Sequence, residues 1–139
     1  MSEENVEIVR RLHAAINAAD AEAALALLDP EIVWVQNPNA PDPRTFHGHD
    51  GMREFRAMLE EAFEDVRLES DRFIDAGDQV VSLGHMRARG VGSGLEVREA
   101  RGWVWTVRDG KVVRHQTFDD HQAALEAAGL SADGTEQPG

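Results

Sequence analysis

The sequence predicts an α+β domain: a cone-shaped, curved antiparallel sheet packed against three helices. Three observations carry this prediction. Before Phe63, apolar residues recur mainly at three- and four-residue spacing, which is the helical period. From Val66 onward the period changes to two over four successive runs, which is the strand pattern. Between the last two runs lies Arg108-Asp109-Gly110-Lys111, and Asp-Gly is a preferred pair for a two-residue type I′ hairpin turn. Helices gathered before an antiparallel meander pack as a layer on one face of a sheet.

Residues 4–19 form the first predicted helix, with Val6, Val9, Leu12, Ile16 and Ala19 along one stripe. Asp20 is a good N-cap for a second helix, AEAALALL, which Asp29-Pro30 ends. Glu31 to Asn37 is a short strand in which Ile32, Trp34 and Gln36 face one way and Val33 and Val35 the other. The next stretch, NPNAPDPRTFHGH, holds three of the five prolines and reads as an irregular rim loop. A third helix covers about Asp50 to Phe63, with Met52, Phe55, Leu59 and Ala62 as its apolar stripe and Arg56 at the edge of it.

Four strands follow: VRLESDRFIDAG, QVVSLGHMRARG, LEVREARGWVWTV and VVRHQTFD. A turn at Ala76-Gly77-Asp78, a GVGSG connection and the Asp109-Gly110 hairpin join them. Period two places Trp103, Trp105 and Val107 on one face, and His115, Thr117 and Asp119 on one face of the next strand. Asp120 caps a short helix, HQAALEAAG, with Gly129 as its C′ residue. Residues 1–130 are expected to form a single domain, and 131–139 a flexible polar tail.

Composition narrows the function classes. The net charge of −12 disfavours nucleic acid and anionic membranes. No apolar run approaches the roughly 20 residues that span a bilayer. The start MSEENVE lacks the features of a secretory signal, so a cytoplasmic location is expected. Absence of cysteine excludes disulfide and thiolate chemistry. His47-Gly48-His49 places chelating side chains at i, i+2 with no third ligand at diagnostic spacing, so no metal or cofactor is expected. Between His85 and His115, seven basic residues stand against three acidic ones. They read either as a solvated strand face or as an anion-friendly pocket wall or dimer surface.

Four segments together carry a resemblance: DAEAALALLDPEIVW, HGHDGMREF, RDGKVVRHQTFDD and ALEAAGL. Over about residues 4–130 the chain resembles the nuclear-transport-factor-2-like superfamily, and within it the SnoaL-like proteins. The resemblance implies a cone with a blind pocket and frequent homodimerisation through the outer face of the sheet. It implies no single activity. The base of the ketosteroid isomerases would fall on Asn37, their tyrosine near Leu12 and their oxyanion-hole Asp on Trp103. An amide cannot abstract a proton at neutral pH, and leucine and indole carbon cannot donate to an enolate oxygen. The last-strand Asp of limonene-epoxide hydrolases would fall on Thr117, and their Arg-x-Asp pair near His85-Met86-Arg87 or Arg87-Ala88-Arg89, neither of which holds an acid. In the polyketide cyclases a pocket histidine falls on His115, and the acid falls near Thr117, two residues before Asp119.

The candidate catalytic residues are therefore His115 and Asp119, about 13 Å apart along an extended strand. The candidate pocket-lining residues are Trp34, Asn37, Met52, Phe55, Arg56, Leu59, Arg101, Trp103, Trp105 and Thr117. By parity with Trp103, Glu99 and Arg101 face inward, as an ion pair, while the facing of His85 and Arg87 is not set by the pattern. The expected partners are a small hydrophobic, carbonyl-bearing ligand and a second copy of the chain. The alternative is a cyclase-like or isomerase/lyase-type enzyme using His115 with Asp119 or Arg101.

Overall fold

The structure is a computed structural model that describes residues 2–39 and 43–131. The chain runs α1 (Ser2–Asn17), α2 (Ala21–Ala26), β1 (Leu28–Val35), β2 (Thr45–His47), α3 (Gly48–Ala62), β3 (Phe63–Ala76), β4 (Gln79–Gly90), β5 (Glu96–Arg108), β6 (Lys111–Phe118) and α4 (His121–Ala127). The strands make one unclosed six-stranded sheet in the order β2-β1-β6-β5-β4-β3. It is antiparallel except where β1 lies parallel to β6. The α+β cone predicted from the sequence is the fold observed. Among the described residues, no helix is long and apolar enough to cross a membrane.

Local sequence sets the boundaries. The Asp20 carboxylate accepts the Ala23 amide at 3.1 Å and caps α2. Asp120 accepts the Ala123 amide at 2.7 Å and caps α4, and Gly129, at φ 74°, closes its C-terminus. Asp109 (φ 51°) and Gly110 (φ 80°) both adopt the left-handed backbone of a type I′ turn. The first strand and the loop after it differ from the sequence reading. Pro30 lies inside β1, where the pairing with β6 shifts register between Leu28 and Val33. A proline is tolerated there because the ladder is already interrupted. The proline-rich loop also contains β2, held on β1 through Trp34–Phe46 pairing. The predicted tail lies outside the described residues from 132 onward.

Period two in β4 and β5 divides the apolar side chains between two faces. Val80, Trp103, Trp105 and Val107 join Val9 and Leu12 of α1 and Met52 of α3 in the larger core. Val81, Leu83 and Val104 join Ala124 and Leu125 of α4 in a smaller one. Three helices therefore cover the concave face and α4 covers part of the convex face.

A bulge sharpens the curvature. The β3–β4 register shifts between Ser70 and Arg72, next to the Ser70–Gly84 pair. A Cβ on Gly84 would lie 1.8 Å from the Glu69 carbonyl oxygen, so only glycine allows the two backbones to approach there. Gly84→Ala is expected to lower stability by about 2–3 kcal/mol through this overlap. Urea denaturation checks it, and an unchanged midpoint would show that the bend does not depend on Gly84.

Candidate functional site

The helices stand off the wide end of the sheet and leave a cavity of about 840 Å³. Ligand pockets commonly occupy about 300–1,000 Å³. Trp34 from β1, Trp103 from β5 and Phe55 and Met52 from α3 supply apolar wall. Leu59 extends it along α3, and Arg53 and Arg56 reach the lining from the polar side of that helix. Arg56 is exposed and its Nε donates to Glu60 at 2.8 Å. Asn37, Thr117, His115 and Arg101 add polar groups. Leu12, Asn37 and Trp103, the three positions that would carry isomerase chemistry, all border this one space.

His115 is 1% exposed. Its ring stacks on Trp34 at 3.8 Å between centroids and tilts against Trp105 at 4.3 Å. Its Nε2 lies 2.8 Å from Thr117 Oγ1, while Nδ1 is buried with no hydrogen-bond partner among the described residues. Burial, and secondarily the nearby His13, hold its pKa well below the usual 6.5. The imidazole is therefore neutral at pH 7 and a poor proton acceptor.

Two sequence-predicted residues are not part of the cavity lining. Trp105 shares the face of Trp103 but lies behind the wall, fully buried, and its Nε1–H donates to Ser82 Oγ at 2.8 Å. Asp119 lies just past the end of β6, where its carboxylate accepts the Asn39 amide at 2.7 Å. That bond ties it to the loop after β1, and Asp119 does not line the cavity.

His13 and Ser82 were missed. Ser82 Oγ, which accepts the Trp105 indole, lies 3.2 Å from His13 Nε2. His13 also meets Phe73, Trp103 and Trp105 edge to face. Its spacing from Val9 and Ile16, four and three residues, was the available signal that it lies on the buried stripe. Burial lowers its pKa to about 4; the Leu68 backbone opposes this and Arg10 adds to it.

The remaining candidates sort by face. His85 and Arg87 lie on the side of β4 opposite Ser82 and Met86, with Glu69 Oε1 at 3.0 Å and 3.6 Å. Glu99 and Arg101 do pair, at 2.6 Å, but only Arg101 lines the cavity. His49 Nε2 bonds the Leu28 carbonyl at 2.9 Å.

This cone with its cavity on the concave side is the architecture of the nuclear-transport-factor-2-like superfamily. Residues 9–115 match the model of the SnoaL-like domain, and the chain belongs to that family. It is similar to a nuclear-transport-factor-2-like protein of unknown function from Burkholderia pseudomallei K96243, at 28% identity and a TM-score of 0.76 over 95% of this chain and 99% of the other. It is equally similar to TerC, crystallised with polyporic acid, at 28% identity and a TM-score of 0.76 over 90% and 98%. A third relative, from Burkholderia thailandensis E264, shares 28% identity with a TM-score of 0.75 over 83% and 89%. No curated protein matches the sequence significantly.

The buried histidine generates a pH prediction. Unfolded His13 takes up a proton below pH 6.5, whereas the folded group does so only near pH 4. Its contribution is therefore full above pH 6.5 and is lost as the pH falls towards 4, a change of about 3 kcal/mol. Urea titrations at pH 7 and pH 4.5 are expected to show a fall in stability that His13→Leu reduces by about 2 kcal/mol. An equal fall in both proteins would contradict the assignment.

Proposed function

We propose that this chain is a small-molecule-binding protein whose cavity takes a hydrophobic, carbonyl-bearing ligand. The observation that carries this reading is the wall of Trp34, Trp103 and Phe55 around a few placed polar groups, Thr117, His115, Asn37 and Arg101. Aromatic walls with sparse polar contacts suit flat apolar molecules. The likeness to TerC, crystallised with polyporic acid, supports the same class of ligand.

A second reading, cyclase-like or isomerase/lyase-type catalysis by His115 with Asp119 or Arg101, draws support from the His115–Thr117 contact on the cavity wall. The low basicity of His115 and the tie of Asp119 to Asn39 count against that pair. Binding without turnover is the better-supported function.

A thermal melt against a panel of aryl ketones and polyporic acid tests the proposal. A ligand present at 100 times its Kd adds about 2.7 kcal/mol to stability, which raises Tm by several degrees in a domain of this size. Trp34→Leu is expected to weaken such a ligand at least tenfold. A panel that moves Tm nowhere would contradict the proposal, and His115→Ala leaving every shift unchanged would remove His115 from the site.

Homodimerisation and a cytoplasmic location complete the proposed reading. The family habit of pairing through the outer sheet face supports the first, and half-buried Val33 and Val35 of β1 lie on the strand side opposite the cavity-lining Trp34. The acidic, cysteine-free sequence supports the second. Sedimentation at micromolar concentration is expected to give twice the protomer mass of 15.3 kDa, and a protomer mass alone would refute the dimer.

A further inference from the structure

The excess of basic residues between His85 and His115 has one member whose position differs from the rest. Arg87 bonds Glu69 and Glu96, and Arg89 bonds Asp65. Arg98 donates to His85 and Lys111 to the Ala26 carbonyl. Arg108 and Arg114 are exposed and outside the cavity lining. Six of the seven are therefore the solvated strand face that charge runs usually form. Arg101 is different: its side chain is 14% exposed and it lines the cavity.

A guanidinium carries its charge throughout the accessible pH range and offers five N–H donors in a fixed planar fork. On Arg101, one terminal nitrogen donates to the Ala100 carbonyl at 2.8 Å and the other to Glu99 at 2.6 Å. These two bonds leave further donors on the group. Glu99, at 56% side-chain exposure, holds its end of the pair in water and lies outside the lining, so water competes for it and the pair only partly offsets the guanidinium charge. The Arg101 charge is on the desolvated side, where an added charge-assisted hydrogen bond is strong.

Apart from Glu99, the nearby polar groups do not compete for that charge. Thr117 stands opposite Trp103, two residues along the strand from Arg101. His115 is neutral and Asn37 is an amide. The carboxylates that do border the cavity are engaged or peripheral. Glu60 bonds Arg56, Asp65 bonds Arg89 and Asp20 caps α2, while Glu22 is exposed on α2.

We propose that the cavity prefers aromatic ligands bearing an anionic oxygen, a carboxylate or an acidic enol, over their neutral isosteres, with Arg101 as the counter-charge. This rests on the reading of the cavity as a small-molecule site and narrows its ligand class. The aromatic walls hold the ring system and Arg101 selects the charge.

Tryptophan-fluorescence titration with 2-naphthoic acid and 2-naphthamide at pH 7.5 tests it, because the pair differs in charge and little in shape. The native protein is expected to bind the acid at least tenfold more tightly than the amide. Arg101→Gln should bring the ratio near one while the amide affinity stays within about twofold. Glu99→Gln alters only a largely exposed side chain and should at least double the native preference for the acid. Equal binding of acid and amide by the native protein overturns the charge preference alone. A preference that survives in Arg101→Gln, or fails to rise in Glu99→Gln, also overturns it. Binding of neither compound overturns the small-molecule reading and this one with it.

Discussion

The structure depends on the hydrogen bond from the Trp105 indole to Ser82. It fixes the largest fully buried side chain against β4. The same hydroxyl lies beside His13 and so joins α1 to β4 and β5. Because Ser82 accepts the indole proton, its own proton can go to the unprotonated Nε2 of His13. An indole N–H left unpaired in this core would cost about 1–3 kcal/mol. The knot sits at the closed end of the cone. Trp105 also meets Trp34 edge to face at 5.8 Å and lies against His115 at 4.3 Å between ring centroids.

From that floor the cavity follows by simple geometry. Successive inward positions on β5 run Trp105, Trp103 and Arg101, and those on β6 run His115 and Thr117. Deep residues are packed and outer ones border open space. This gradient explains why Trp105 is structural although it shares a face with Trp103. It also explains why His115, wedged between two indoles, is a stronger candidate for orienting Thr117 than for moving protons. By the resemblance alone, ketosteroid-isomerase chemistry would need ionisable groups at the positions that Asn37, Leu12 and Trp103 hold here. Shape and the partly buried Arg101 guanidinium are what the proposed ligand preference rests on.

Much of this was legible in the sequence. Asp20, Asp109-Gly110, Asp120 and Gly129 act locally, through caps and turns that depend only on neighbouring residues, and each does in the structure what its type dictates. Strand parity likewise put Trp103, Arg101 and Thr117 on the inner face. Parity cannot report depth, which is why Trp105 was grouped with the lining. It also cannot report a tertiary bond from a distant loop, such as the one from Asn39 that holds Asp119. β2 escaped notice because three residues among prolines carry no period, and only the β1 edge makes them a strand. The sequence does not mark His13, because a polar residue on an apolar stripe gains its meaning from Ser82, 69 residues away.

The central claim is that Trp34 and Trp103 face a ligand space while Trp105 is sealed behind them. The three indole N–H resonances report on it separately in a nitrogen-15 spectrum, during titration with an aryl ketone. The account predicts progressive shifts for Trp34 and Trp103, and a Trp105 signal that moves least and exchanges slowest with solvent because it stays bonded to Ser82. A Trp105 signal that moves most, or three signals unmoved by every ligand that alters the melt, would contradict it.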